Sequence, residues 1–118
     1  MEGQSINYPV STPQPRQAAK EIGQVESPQA LMALAVEKYS SLPKAKVLIN
    51  GEEKYSFAEN PLTIKVKAGE TLEIDSSYYS FPIDFKVIAV SSNMAYPAKG
   101  QLYTANQNIV MVGKIIVK

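Results

Sequence analysis

Residues 62–67 and 71–75 show the pattern that most constrains this fold, a regular alternation of aliphatic and polar side chains. In the first segment Leu, Ile and Val alternate with Thr and Lys, and in the second Leu and Ile alternate with Thr, Glu and Asp. Successive side chains of a strand point to opposite faces, so this period of two predicts half-buried β-strands with one solvated face. A turn is expected between them at Ala68-Gly69.

Similar short segments occupy the chain from Lys44 onward. About seven strands, with turn residues every ~8–12 positions, predict an antiparallel β-sandwich over residues 44–118. Residues 81–90 are apolar at every odd position, and residues 91–101 have the Ser, Asn, Pro and Gly content of a loop. Residues 109–117 are apolar at nearly every position, which predicts a strand in the centre of a sheet.

Asn50-Gly51 is a strong hairpin signal between residues 45–49 and 53–57. A plain two-residue turn would place Val47 opposite Lys54. A turn with a bulge at Gly51 would instead place Val47 and Tyr55 on one apolar face, and we favour this arrangement.

Residues 27–42 have the composition of a helix. Ser27 suits an N-cap and Pro28 the first helical position, the following residues are mostly good helix formers, and Pro43 ends the segment. We expect this helix to pack on the sandwich. The alternative is a helix that binds a partner or a membrane surface, for which its polar face has few basic groups.

Residues 1–26 form a Pro/Gln-rich segment, with proline at positions 9, 13 and 15 and few large apolar side chains, and we expect a flexible tail. The first residues lack the basic and apolar regions of a signal peptide, and no apolar run approaches the ~20 residues that span a bilayer. The chain could still be part of a longer protein that is anchored elsewhere.

The composition narrows the function. Twelve basic and eleven acidic residues leave a net charge of +1, which makes nucleic acid an unlikely partner class. The chain has no His and no Cys, so it has no disulfide and no thiolate chemistry, and it lacks the most common catalytic acid–base group. We therefore predict a protein that is not an enzyme and carries no cofactor.

Three segments, in order, carry a resemblance to a known family. Residues 62–70 end in Lys-Ala-Gly-Glu, residues 81–83 read Phe-Pro-Ile, and the chain closes with Met111 just before Val-Gly-Lys-Ile. Over residues 45–118 this order resembles the cupredoxins, plastocyanin-like ones in particular. The resemblance implies a Greek-key β-sandwich, with a general immunoglobulin-like sandwich as the alternative.

The same resemblance implies that the copper ligands are lost. Ile83 stands at the first His position, Tyr103 or Thr104 at the Cys position, and Asn106 near the second His position. Met111 alone keeps the ligand's identity, and a thioether by itself cannot hold copper. We expect no metal, a filled apolar pocket at these vestigial positions, and Met111 as a flexible core residue.

Two further groups of residues are candidates for function. Tyr78, Tyr79, Phe81, Tyr96 and Tyr103, together with Asn106, could form an aromatic surface that binds a sugar or a protein, or could simply cap the core. Glu73, Asp75 and Asp84 could form a carboxylate pair or a calcium site. The simpler interpretation is one solvated sheet face on which Lys65, Lys67 and Lys86 balance them.

The sequence thus predicts a mainly β protein with one N-terminal helix that acts as a non-catalytic binding or structural module. We expect an extracytoplasmic location, within a larger bacterial envelope protein anchored by a segment not present here. The expected partner is another protein or another domain of the parent protein, without nucleic acid or direct membrane insertion. The alternative is a carbohydrate or small-ligand binding module that uses the tyrosine-rich end of the sandwich.

Overall fold

A computed structural model describes residues 25–118, and this part of the chain contains ten strands and no helix. The mainly β prediction is therefore confirmed. The predicted tail, residues 1–26, lies outside the described residues except for its last two. The strands are β1 Gln29–Val36, β2 Leu42–Ile49, β3 Glu52–Phe57, β4 Leu62–Lys67, β5 Thr71–Asp75, β6 Pro82–Val90, β7 Met94–Tyr96, β8 Leu102–Asn106, β9 Ile109–Lys114 and β10 Ile116–Val117.

Eight of the strands form two four-stranded antiparallel sheets. Sheet A has the order β9-β5-β2-β3, and sheet B has the order β4-β1-β6-β8. The short strands β7 and β10 pair with each other. Strands that follow one another along the chain often lie in different sheets, as β1 and β2 do, so the chain crosses repeatedly between the sheets.

Both sheets direct one face into a single hydrophobic core. Phe57 of sheet A and Phe85 of sheet B are fully buried, and their ring centroids lie 4.9 Å apart. The other core side chains are the alternating aliphatic residues of the strands. They are Ala30, Met32, Leu34, Val36, Leu42, Ala45, Val47, Ile49, Leu62, Ile64, Val66, Leu72, Ile74, Ile83, Val87, Met94, Ala105 and Val112, together with Ile115 between β9 and β10.

The helix predicted over residues 27–42 is wrong, because residues 29–36 form the inner strand β1 of sheet B. Met32 pairs with Ile64 of β4 on one side, and Ala33 pairs with Ala89 of β6 on the other. Helix propensities differ by less than about 1 kcal/mol per residue, and strand preference depends strongly on packing. Two hydrogen-bonded neighbours and burial of every second side chain outweigh the local helical preference of Ala, Leu and Met.

The β2–β3 hairpin combines the two arrangements considered from the sequence. Ile49 pairs directly with Glu52, and Asn50 and Gly51 both have positive φ, as a two-residue turn requires. The register then shifts so that Val47 faces Tyr55. The prediction that Val47 and Tyr55 lie on one face is confirmed. The extra residue of the irregularity is Lys54, however, and not Gly51.

The C-terminal strand does not lie in the centre of a sheet as predicted. It divides into β9, which is an edge strand of sheet A, and β10, which pairs with β7. Strand β7 lies within the segment predicted to be a loop. The apolar character of β9 on both faces therefore leaves Ile109 and Met111 exposed to solvent, at 47% and 56%.

Gly113 sits at the irregularity of β9 with φ +126°, where a Cβ would lie 3.2 Å from Cε2 of Tyr96. Gly51 also has a positive φ, +85°, but a Cβ there would meet nothing within 4 Å. We expect Gly113→Ala to lower the free energy of unfolding by about 2–3 kcal/mol, because it adds crowding to backbone strain. Gly51→Ala, with strain alone, should cost about 1 kcal/mol. Chemical denaturation of both variants measures the difference, and equal costs would contradict the contact with Tyr96.

Candidate binding surface

The loops at one end of the two sheets are held together by hydrogen bonds between neighbouring segments. Asn60, before β4, accepts a hydrogen bond from the Val36 amide at 2.9 Å and donates to the carbonyl oxygens of Val36 and Tyr39. Ser76, fully buried after β5, donates its amide to the carbonyl oxygen of Asn108 at 3.0 Å. Tyr39 of the β1–β2 connection packs on Phe81 of the β5–β6 connection and joins the two groups. The β1–β2, β3–β4, β5–β6 and β8–β9 connections therefore form one loop end.

Four aromatic rings meet at this loop end, and we call Tyr39, Tyr78, Tyr79 and Phe81 the aromatic cluster. Ring centroids are 5.3 Å apart for Tyr39 and Phe81, 5.5 Å for Phe81 and Tyr79, and 5.2 Å for Tyr79 and Tyr78. The rings are tilted or edge-to-face, which is the favourable arrangement for aromatic pairs. They form one connected cluster and not a row of separate platforms.

The aromatic cluster is partly open to solvent. Tyr78 is 67% exposed, whereas Tyr39 and Phe81 are 37% and 36% exposed. Tyr79 is half-buried against the core and anchors the cluster to the sheets. Exposed aromatic surface of this kind, supported by a half-buried ring, is available for contact with another molecule.

Lys44 of β2 fixes one side of the cluster. Its backbone amide donates a hydrogen bond to Oη of Tyr79 at 2.9 Å, and its ammonium group lies 5.6 Å from the centroid of the Tyr78 ring. A cation at this distance from a ring face is attracted by the π electrons. Lys44 thus holds both tyrosines in place and adds a positive charge to the surface.

Polar groups surround the aromatic cluster. The Asp75 carboxylate accepts hydrogen bonds from the Ser77 amide at 3.0 Å and from the Ser77 hydroxyl at 2.6 Å, which orders the start of the β5–β6 loop. Asn106 is exposed and pairs with Pro82, next to Phe81. The backbone amide of Asn106 donates a hydrogen bond to Oδ1 of Asn108 at 2.7 Å.

The two remaining tyrosines of the predicted surface pair with each other instead. The Tyr96 hydroxyl donates to the Val112 carbonyl oxygen at 2.7 Å, and its oxygen lies 3.4 Å from the Tyr103 hydroxyl. Burial, and secondly the hydrogen bond with Tyr96, raises the pKa of Tyr103 above its usual range. This pair joins β7 and β8 to the irregularity of β9 and does not contribute a ring to the aromatic cluster.

The three positions predicted to be vestigial ligand positions, Ile83, Asn106 and Met111, differ in their surroundings. Ile83 is buried in the core at 1% exposure, whereas Asn106 is exposed. Met111 pairs with Glu73 on the solvent face of sheet A and is 56% exposed. The prediction that Met111 fills the core is therefore wrong, because the inward residues of β9 are its neighbours Val110 and Val112.

The carboxylates and lysines expected to share one solvated face lie on two different sheets. Glu73 and Asp75 belong to sheet A, whereas Lys65, Lys67 and Lys86 belong to sheet B. Asp84 of sheet B accepts a hydrogen bond from the Thr104 hydroxyl at 2.6 Å. The predicted balance is therefore wrong for Glu73 and Asp75, whereas Asp84 does lie on one sheet with the three lysines.

Sequence reasoning missed Tyr39 and Lys44. The sequence predicts a helix that includes Tyr39, whereas Tyr39 lies in the loop that follows β1. Lys44 belongs to no sequence motif. Its role depends on a backbone hydrogen bond to Tyr79, which is distant from it in the sequence. The adjacent Tyr78, Tyr79 and Phe81 were found because they are close in sequence and therefore share one loop.

Within residues 25–118, no three acidic side chains come together in a group that could hold a metal ion. Over the same residues, no helix has the length and apolar character needed to cross a membrane. Comparisons with protein-family models, with curated proteins and with solved structures found no match to this chain.

Proposed function

We propose that this protein is a non-catalytic binding module whose aromatic cluster contacts another protein. The observation that carries the proposal is the connected set of four rings, open to solvent at the loop end and anchored in the core through Tyr79. Tyrosine is enriched among residues that dominate the energy of protein interfaces, where a ring buries much apolar area and its hydroxyl keeps a polar contact.

The loop end is arranged before any partner binds. Asn60 holds the loop that carries Tyr39, the Asp75–Ser77 contacts order the loop that carries Tyr78, and Lys44 holds Tyr79. A surface whose loops are already ordered loses less conformational entropy on binding, so more of the contact energy appears as affinity.

The position of the aromatic cluster suits a displayed module. The Ser27 hydroxyl donates to the Lys118 carbonyl oxygen at 2.9 Å, so both limits of the described chain lie together. Strand β1 runs from there to the loop end over eight residues, about 26 Å at the rise of a strand. We propose that the module acts outside the cytoplasm, within a larger envelope protein that presents the aromatic cluster outward.

Photo-crosslinking in cells that produce the protein tests this function. We expect benzoylphenylalanine at position 78 to give a discrete adduct with one protein, and the same residue at Lys99, on an exposed loop outside the loop end, to give none. Excess unlabelled wild-type protein should suppress the adduct, whereas the Tyr39→Ser/Tyr78→Ser variant should not. Equal adducts from both positions, or suppression by the variant, would contradict the proposal.

Carbohydrate binding is the second candidate. Tyr78 offers a largely exposed ring, the Ser77 hydroxyl lies in the same loop, and the Asp75 carboxylate lies at the end of β5. An aromatic ring with polar groups beside it is the combination a sugar needs for stacking and hydrogen bonding. Binding to purified envelope polysaccharides that is lost in Tyr78→Ser would favour this function over the first.

For the fold, we propose that the two sheets close as a Greek-key β-sandwich of cupredoxin-like or immunoglobulin-like type. The contact between Phe57 and Phe85 across the sheets and the direct passage from β8 in sheet B to β9 in sheet A support this topology. An experimental structure tests it.

A further inference from the structure

The solvent faces of the two sheets carry opposite charge. On sheet A, Glu73 and Asp75 lie in the middle of the sheet on β5, between β9 and β2. Lys46, on the same face, is occupied by an ion pair with Glu53 at 3.3 Å. Lys46 is also the cross-strand neighbour of Asp75, but among the described residues neither Glu73 nor Asp75 has an ion pair. The centre of this face therefore carries the carboxylates of Glu53, Glu73 and Asp75 around one lysine and is acidic.

The acidic face also carries exposed apolar side chains. Met111 pairs with Glu73 and Ile109 pairs with Asp75, and both are about half exposed on the edge strand β9. Leu48 lies on the other side of Glu73, next to Glu53. Lys114 lies at the far end of the face, opposite Thr71. We call the solvent side of sheet A, with Glu73 and Met111 at its centre, the acidic face.

The solvent face of sheet B has the complementary character. Its middle is apolar, because Leu31 and Ala35 of β1 are half-buried and the small side chain of Ala33 between them is buried. Lys65 pairs with Leu31 from one side, and Lys86 lies between Ala35 and Leu102, which is 54% exposed, on the other. We call this surface the basic face, because Lys65, Lys67 and Lys86 outnumber Asp84, which accepts a hydrogen bond from the Thr104 hydroxyl.

We propose that copies of this chain associate head to tail, with the acidic face of one copy against the basic face of the next. Contact between two acidic faces or between two basic faces would bring like charges together, which is unfavourable. The pairing of unlike faces brings Glu73 and Asp75 toward Lys65 and Lys86. It also places Met111 and Ile109 against the apolar middle of β1.

The size of the faces sets the strength of this contact. Each face is four strands wide, at about 4.8 Å per strand, and about six residues long, at about 3.3 Å per residue. These dimensions give an area of roughly 400 Å² per face. This is the range of weak, reversible interfaces. Because the two faces differ, association does not end at a dimer, and it leaves the loop end of every copy free.

Measurement of molar mass by sedimentation or light scattering, from about 10 μM to about 1 mM protein, tests the proposal. We expect the mass of the wild-type protein to rise with concentration, and to rise less at high salt. Two variants reverse one face each. Lys65→Glu/Lys86→Glu makes both faces acidic, and Glu53→Lys/Glu73→Lys makes both faces basic. Each variant alone should weaken association at least ~10-fold.

An equimolar mixture of the two variants is the decisive sample. Each variant retains one unaltered face, and these two faces complement each other, so the mixture should regain at least a one-to-one pair. Lys38→Glu/Lys99→Glu, in two exposed loops outside both faces, changes the net charge as much as Lys65→Glu/Lys86→Glu and should associate like the wild type. A wild-type protein that stays monomeric at about 1 mM would overturn the proposal. A mixture that stays monomeric, or variants that associate normally, would do so too.

Discussion

Replacement of Phe57 by alanine is expected to lower the free energy of unfolding by about 3–5 kcal/mol. Phe57 is fully buried, and its ring lies 4.9 Å from the ring of Phe85 in the opposite sheet. The substitution removes a large apolar side chain and leaves a cavity between the sheets, where backbone on both sides prevents collapse. Urea denaturation followed by far-UV circular dichroism measures the change.

Lys54→Ala on the same strand provides the control for Phe57→Ala. Lys54 is exposed and forms a surface ion pair with Glu52 at 3.2 Å, so its replacement should change stability by less than about 0.5 kcal/mol. A cost below about 1 kcal/mol for Phe57→Ala would contradict the account of a single core shared by both sheets.

Asn60→Ala is expected to cost about 2–4 kcal/mol and to loosen the loop that carries Tyr39. The Asn60 side chain satisfies the amide and the carbonyl oxygen of Val36, at the end of β1, and the carbonyl oxygen of Tyr39. Alanine leaves three backbone groups without these partners, two of them partly buried. The loss should appear both in denaturation and as changed NMR signals of the Tyr39 ring.

Glu59→Ala is the neighbouring control for this effect, since Glu59 is exposed in the same loop. It should leave stability within about 0.5 kcal/mol of the wild type and the Tyr39 signals unchanged. If Asn60→Ala destabilised the protein without any change at Tyr39, the proposed ordering of the aromatic cluster by Asn60 would be incorrect.

The strands with polar outward positions were predictable from the sequence, and the strand with apolar outward positions was not. Strand β4 spans Leu62–Lys67 as its alternation indicates. In strand β1 the outward positions Leu31, Ala33 and Ala35 are apolar like the inward ones, so the period of two disappears. Without a period of two, only the local propensity of the residues remains as a signal. For Ala, Leu and Met this propensity favours a helix.

The opposite error occurred at the C-terminus. Strand β9 is apolar on both faces, which is typical of a central strand, yet it forms an edge of sheet A. The sequence shows that a strand is apolar, but it does not show whether another strand of the same chain or a second molecule covers it. Our head-to-tail proposal assigns that cover to the basic face of a neighbouring copy.

Sequence reasoning found the candidate site where its residues are consecutive and missed it where they are distant. Tyr78, Tyr79 and Phe81 share one loop, so their proximity follows from the chain itself. Tyr39 joins them only because β1 is a strand that ends at the same loop end. Alternation likewise shows that Glu73 and Lys65 face solvent, but the sheet to which each strand belongs depends on long-range pairing.

The most direct test of this account is the state of residues 29–36, since β1 builds sheet B and brings Tyr39 to the loop end. NMR measurement of inter-residue contacts should show cross-strand contacts between Met32 and Ile64 and between Ala33 and Ala89. Contacts three residues apart along 29–36, with helical Cα shifts and no cross-strand contacts, would contradict the fold and every proposal that depends on it.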